Sequence, residues 1–168
     1  MKNIFLIIFL LVLSLYLKAQ QTDCKDIDEK ESIAYKKGTG KPFTGKCISW
    51  IDVSHKSFES TYKDGKLNGK EITWNRKGII ISESNYKEGK YDGLVLHFYD
   101  DGKIKSREFY KGDYKNGVST YYYSNGNKES EGSYINCSEE GSWTYWNEDD
   151  GSLKKTVIYK NGEVIDEK

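Results

Sequence analysis

YKEGKYDG, residues Tyr86 to Gly93, decides the fold, because the chain writes nearly the same phrase three times at one interval. Twenty-four residues earlier stands YKDGKLNG, Tyr62 to Gly69, and twenty-four later YKGDYKNG, Tyr110 to Gly117. Aligned on its opening tyrosine, the phrase returns at Tyr62, Tyr86, Tyr110, Tyr134 and Tyr159, in steps of 24, 24, 24 and 25 residues. Seven residues after each of the first four tyrosines comes a glycine (Gly69, Gly93, Gly117, Gly141), and five after that an aromatic (Trp74, Phe98, Tyr122, Trp146). A turn glycine closes each unit: Gly78, Gly102, Gly126, Gly151. A degenerate earlier unit carries Tyr35, Gly45 and Trp50, with Ser54 where the turn glycine would be. A fixed period of this kind marks a repeat architecture, in which one supersecondary unit cannot bury its apolar face alone and neighbours complete the core.

Between glycine and turn the residues alternate with the period of a strand. In GLVLHFYDDGKIKSREF, Leu94, Leu96 and Phe98 share one face, and Val95, His97 and Tyr99 the other. A three-residue loop with glycine in the left-handed position closes such a hairpin. This loop places Phe98 opposite Ile104 and Leu96 opposite Ser106, and in sister units Trp74 opposite Ile80, Ile72 opposite Ser82, and Trp146 opposite Leu153. Each unit is therefore expected to be one β-hairpin, and the repeated phrase the solvated loop joining hairpins. The fold class that follows is all-β: a single-layer antiparallel β-meander of stacked hairpin repeats, open-ended and solenoid-like. The expected core face carries Trp74, Phe98 and Trp146 with Ile80, Ile104 and Leu153.

The chain has 168 residues, 26 basic and 26 acidic, 14 tyrosines and 16 glycines against one proline. That composition suits strands and turns and offers no basic footprint for nucleic acid. Residues 1–19 read as a secretory signal peptide: Lys2, a continuous apolar run from Ile4 to Leu17, and Ala19 at a cleavage position. The expected location is therefore secreted, periplasmic or at the cell envelope. Residues 20–34 form an acidic lead-in and residues 35–168 the repeat domain. Of the three cysteines, Cys47 and Cys137 lie four repeats apart. At about 9–10 Å per hairpin they are beyond the reach of a disulfide, which needs Cα atoms within about 7 Å. Cys24 sits on a lead-in that can fold back to the first hairpin, so Cys24–Cys47 is the expected pair and Cys137 the free thiol.

YKDGKLNGKEITWNRKG and YKEGKYDGLVLHFYDDGKIKSREFY resemble MORN repeats in their variant form. The whole, from Tyr35 to Asp166, is similar to the YwqK-family antitoxin-like proteins. The resemblance implies a scaffolding, dimerisation, membrane-contact or protein-binding module without catalytic residues. The antitoxin likeness implies a toxin partner, and an immunity-type protein outside the cytoplasm would suit the signal peptide. Nothing in the charge supports contact with a membrane surface.

No catalytic constellation is present in the sequence. His55 and His97 lie 42 residues apart in different hairpins, with no fixed partner to act as base. NEDDG, Asn147 to Gly151, lacks the alternating ligands of a calcium loop and reads as a hairpin turn. No metal or cofactor is expected. The feature that could carry recognition is an aromatic stripe opposite the Leu96/Phe98 row: Tyr99, Tyr121, Tyr123, Trp143 and Tyr145, with Lys105 and Arg107 on the strand between its first two groups. Exposed aromatics beside cations suit a protein or glycan surface. Cross-strand packing is the alternative, because tyrosine favours strands for its own sake. The expected function is an exported, non-enzymatic module that binds a protein or cell-surface component, or else an antitoxin or immunity protein.

Overall fold

The computed structural model describes residues 22–168; the expected signal peptide lies outside the described residues. Strand β1 (Thr22–Asp23) leads through a single 3-10 turn at Cys24–Asp26 into a small hairpin, β2 (Ile27–Lys30) and β3 (Ile33–Lys36). Five repeat hairpins follow. They are β4 (Gly45–Trp50) with β5 (Lys56–Lys63), β6 (Lys66–Trp74) with β7 (Ile80–Lys87), and β8 (Lys90–Phe98) with β9 (Ile104–Lys111). Then come β10 (Tyr114–Lys115) and β11 (Gly117–Tyr122) with β12 (Lys128–Ile135), and β13 (Ser138–Trp146) with β14 (Leu153–Lys160); β15 (Glu163–Glu167) ends the series. All but β2 and β3 join one open 13-stranded sheet in chain order, antiparallel except where β1 lies parallel to β4.

The repeated phrase forms two-residue turns in which both residues take positive φ, as at Asp64–Gly65 (51° and 80°) and Glu88–Gly89 (52° and 86°). Such turns match the twist of the strands they join. Each turn also bonds its predecessor. Gly65 N–H donates to Phe43 O (2.8 Å), Gly89 to Leu67 O (2.7 Å), Asp113 to Tyr91 O (3.0 Å), Cys137 to Lys115 O (3.0 Å) and Gly162 to Glu139 O (2.9 Å). This ladder supplies a partner for loop N–H groups that the sheet leaves free. It also gives a physical reason for repeating the phrase: each copy must present the acceptor that the next copy uses.

At the hairpin tips the expected pairs Trp74–Ile80, Phe98–Ile104 and Trp146–Leu153 are observed. One residue further in, the register departs from expectation. Leu96 opposes Arg107, not Ser106, and Ile72 opposes Glu83, not Ser82. A β-bulge inserts one unpaired residue into the second strand of every repeat hairpin: Ser57, Ile81, Lys105, Glu129 and Lys154. A bulge moves every later residue of that strand to the other face.

The faces divide accordingly. The deepest burial lies on the Val95 side: Val95 and Val157 are 2% exposed and Trp143 3%, with Cys47, Ser60, Ser84, Ser106, Glu108, Ser119 and Ser130 also buried there. The opposite face, expected to be the core, holds Trp74, Phe98, Trp146, Ile80 and Ile104 only half-buried, and Leu153 is 63% exposed. The expectation fails because the Leu96/Phe98 face faces charge across the strand: Glu59, Glu83 and Arg107 oppose its apolar residues, and Glu131 opposes Thr120 and Thr144. The Val95 face instead sets large residues against small ones, as Ser119 against Gly132 beside Trp143. Ile48, 1% exposed, and Thr120, 7% exposed, are the exceptions on the charged side.

At the N-terminal end the lead-in folds over the first hairpin. Cys24 and Cys47 are joined by a disulfide with Cα atoms 4.9 Å apart. Ala34, Phe43 and Cys47 form a buried cluster against which Cys24, Ile27 and Tyr62 pack. Ala34 N–H donates to Gly65 O and Phe43 N–H to Ala34 O, both at 2.8 Å, so the cap joins the loop ladder.

Candidate functional site

The site is built where β8, β9, β11 and β12 lie side by side on the Val95 face. Glu108 of β9 sits beneath it, 5% exposed. A buried carboxylate must be paired and hydrogen-bonded. Lys115 forms a salt bridge with Glu108 Oε1, and Tyr121 Oη donates to the same oxygen at 2.7 Å. Lys115 Nζ also donates to Tyr121 Oη at 3.0 Å and stands 5.6 Å and 5.1 Å from the ring centres of Tyr121 and Tyr134. Burial alone would lower the Lys115 ammonium; Glu108 outweighs it and holds the group above the usual lysine value. Burial, then the Glu108 carboxylate, pushes the Tyr121 phenol well above its ordinary value. His97 Nε2 lies 4.0 Å from Glu108 Oε2, and the histidine side chain remains 47% exposed.

The aromatic stripe expected from the sequence is present on this face, but its members differ in role. Trp143 is core: its ring stacks on Tyr121 (6.4 Å between centres), meets Tyr134 edge-on (5.0 Å), and covers Gly132. For Trp143 the cross-strand packing alternative therefore holds, and Gly132 beneath it lets the indole lie flat on the backbone. Tyr99 and Tyr123 are half-buried ties between repeats, donating to Tyr122 O (2.6 Å) and Trp146 O (3.2 Å). Tyr145 meets the Tyr159 hydroxyl at 3.2 Å. Tyr121 alone of the five lines open space together with Lys105. Arg107 is exposed on the other face, because the bulge at Lys105 reverses the side on which it emerges.

That open space is a groove of about 490 Å³ between hairpin tips, lined by Ile81, His97, Phe98, Asp100, Lys105, Ser106, Tyr121 and Glu129. Reasoning from the sequence did not bring His97, Glu108, Lys115 or Glu129 into the site. The available signal was the residue two before each repeat tyrosine, Ser60, Ser84, Glu108, Gly132 and Val157, where one carboxylate interrupts a row of small or apolar residues. A larger cavity, about 620 Å³, lies at the cap between Glu31, Leu67 and Glu88. Among the described residues, no three His, Cys, Asp or Glu side chains are grouped to hold a metal, and no helix is long and apolar enough to cross a membrane.

The family model of the MORN repeat variant matches residues 91–111 and 115–136, the two hairpins that build this groove. Those two stretches are similar to MORN repeats of the variant form. No curated protein matches it. Among solved structures, the crystal structure of the GtfA/B complex bound to UDP and GlcNAc aligns over 76% of this chain and 22% of that one, at 13% identity and a TM-score of 0.25. The chain thus spans about a fifth of that structure's length, and a likeness of that strength carries no argument about fold or function.

Proposed function

We propose that this chain is an exported, non-enzymatic MORN-like module that binds a protein or cell-surface component through the Val95 face of hairpins β8–β9 and β11–β12. The observation that carries the reading is the groove itself. It is the place where Tyr121 and Lys105 from the aromatic stripe meet solvent, beside a rigid ion-paired cluster. Export is supported by the Lys2 to Ala19 segment and by a disulfide, which persists in oxidising compartments. The test is capture from native envelope fractions by the immobilised chain, wild type against the double variant Lys105→Ala with Glu129→Gln. Both side chains are exposed, so the fold should survive. Loss of capture by the variant at equal melting temperature supports the reading; equal capture removes it. A toxin partner is the second reading, favoured by the likeness to the YwqK-family antitoxin-like proteins. It requires one tight stoichiometric complex in place of capture of a repeated surface component.

A further inference from the structure

We infer that the groove between the hairpin tips binds a neutral oligosaccharide. This deepens the proposed function and rests on it. The groove exists because of the bulges: Ile81, Lys105 and Glu129 are the bulged residues of three successive hairpins, and all three line it. Bulges re-aim side chains in this way beside functional sites. At about 490 Å³ the space falls within the range of small-ligand clefts, about 300–1,000 Å³.

The lining chemistry selects among ligands. Ile81 and Tyr121 supply apolar wall, which suits the C–H face of a pyranose ring. Asp100 and Glu129 only accept hydrogen bonds, Lys105 only donates, and His97 can do either. A hydroxyl group donates and accepts, so one sugar satisfies all of them. An anionic ligand would meet Asp100 and Glu129, and a cationic one would meet Lys105. None of Asp100, Lys105 and Glu129 forms a salt bridge among the described residues. On the opposite face Glu59, Glu83 and Glu131 are each paired with lysine. The groove thus keeps its charged groups available where the other face neutralises them. A peptide strand is less suited. It binds by pairing its main chain with a sheet edge, and β8, β9 and β11 are inner strands paired on both sides.

The test is isothermal calorimetry on the full-length mature chain with three probes: the β-1,4-linked hexamer of glucose, that of N-acetylglucosamine, and a mannose hexamer. Saturable binding of at least one is expected, weakened tenfold or more by Lys105→Ala with Glu129→Gln. Arg107→Ala, on the opposite face, should leave it unchanged. Absence of saturable binding for all three, or equal affinity in the double variant, overturns the inference. The two readings fail separately. If the double variant loses envelope capture while the wild type ignores every sugar, the binding function stands and the oligosaccharide falls. If capture ignores the double variant, both fall.

Discussion

The two faces of this sheet are drawn from the same strands, one residue apart, and they end in different states. The Leu96 face has the more obviously apolar sequence, with Leu94, Leu96 and Phe98 in one row, yet it stays half open. The Val95 face mixes serine, glutamate and tyrosine, yet it holds most of the buried side chains. The difference lies in the partner strand. Across from Ile72, Leu96 and Thr120 stand Glu83, Arg107 and Glu131, which need water or a group of opposite charge. Across from Glu71, Val95 and Trp143 stand Ser60 and Ser84, Glu108 and Val157. Ser60 Oγ donates to Glu71 at 2.7 Å, and Glu108 is neutralised by Lys115, so even the polar members can be dry. Burial in a single-layer sheet follows complementarity across the strand pair and not the hydropathy of one strand.

The strongest way to break this comparison is to truncate one aromatic on each face. Trp143→Ala removes a 3% exposed ring that touches Tyr121, Tyr134, Tyr145 and Tyr159, and should cost about 3–5 kcal/mol. Phe98→Ala, on the half-open face, should cost no more than about half of that range. Chemical unfolding of both variants measures the difference. A larger loss for Phe98→Ala would mean that the faces have been assigned the wrong way round.

A subtler change targets the glycine beneath that tryptophan. A Cβ on Gly132 would come within 2.2–2.4 Å of Trp143 ring atoms. The indole would have to lift from the backbone, so Gly132→Ala should cost about 1–3 kcal/mol, the usual range for overpacking. The Trp143 fluorescence should shift to the red as the ring meets water. Full stability with unchanged emission would show that the ring does not rest on this backbone.

Much of the architecture was legible in the spacing. The period set the hairpins, the glycines set the loops, and the tip pairs Phe98–Ile104 and Trp146–Leu153 followed from loop length. The bulges were not legible, for a physical reason. A 24-residue period counts residues, and it is the same whether an extra one sits in the loop or in the ladder. Only pairing distinguishes the two, and Lys105 or Glu129 carries no chemical mark of being unpaired. From that one unseen residue per hairpin came the errors that followed it: Ser106 and Arg107 exchanged faces, and the aromatic row at the tips was read as core. The stripe of Tyr121, Trp143 and Tyr145 was found because it lies on the first strand of each hairpin, ahead of the bulge. Glu108 and its lysine escaped because each belongs to a position where other repeats carry something unrelated.

Alkaline titration should separate the faces more gently. Burial is the main cause that raises the phenols of Tyr86, Tyr121 and Tyr134, all on the Val95 face, above the ordinary tyrosine value. In the unfolded chain these groups ionise near pH 10. The folded state holds its protons longer, so their contribution is complete below about pH 10 and is lost as pH rises through the raised folded values. The raised Lys115 acts in the same direction. Melting temperature should therefore fall above about pH 10, with tyrosinate absorbance from these residues appearing only as the protein unfolds. Early ionisation of the full tyrosine complement in a protein that still melts at its neutral-pH temperature would contradict the packing assigned to this face.

The smallest expected effect falls on neither face and so tests whether the loop ladder is independent of both. Asn136 and Cys137 take φ of 49° and 69° in a turn where three of the four sister copies end in glycine, Gly65, Gly89 and Gly162, and the fourth in Asp113. A side chain in the left-handed region costs roughly 1–2 kcal/mol, and an added glycine returns part of that as unfolded-state entropy, about 0.5–1 kcal/mol. Cys137 is exposed and free; its sulfur accepts one bond, from Lys115 N–H at 3.2 Å. Its own N–H, which donates to Lys115 O, survives substitution. Cys137→Gly should therefore stabilise the chain by up to about 0.5–1 kcal/mol in urea unfolding, the strain relieved outweighing a weak sulfur contact. Trp143 and Tyr121 should keep their environments, because the ladder bond at this turn is made by backbone alone. A net loss of stability would mean that the thiol, by holding Lys115 in place, reaches through the loop into the Glu108 pair, and that the ladder and the packed face are one structure.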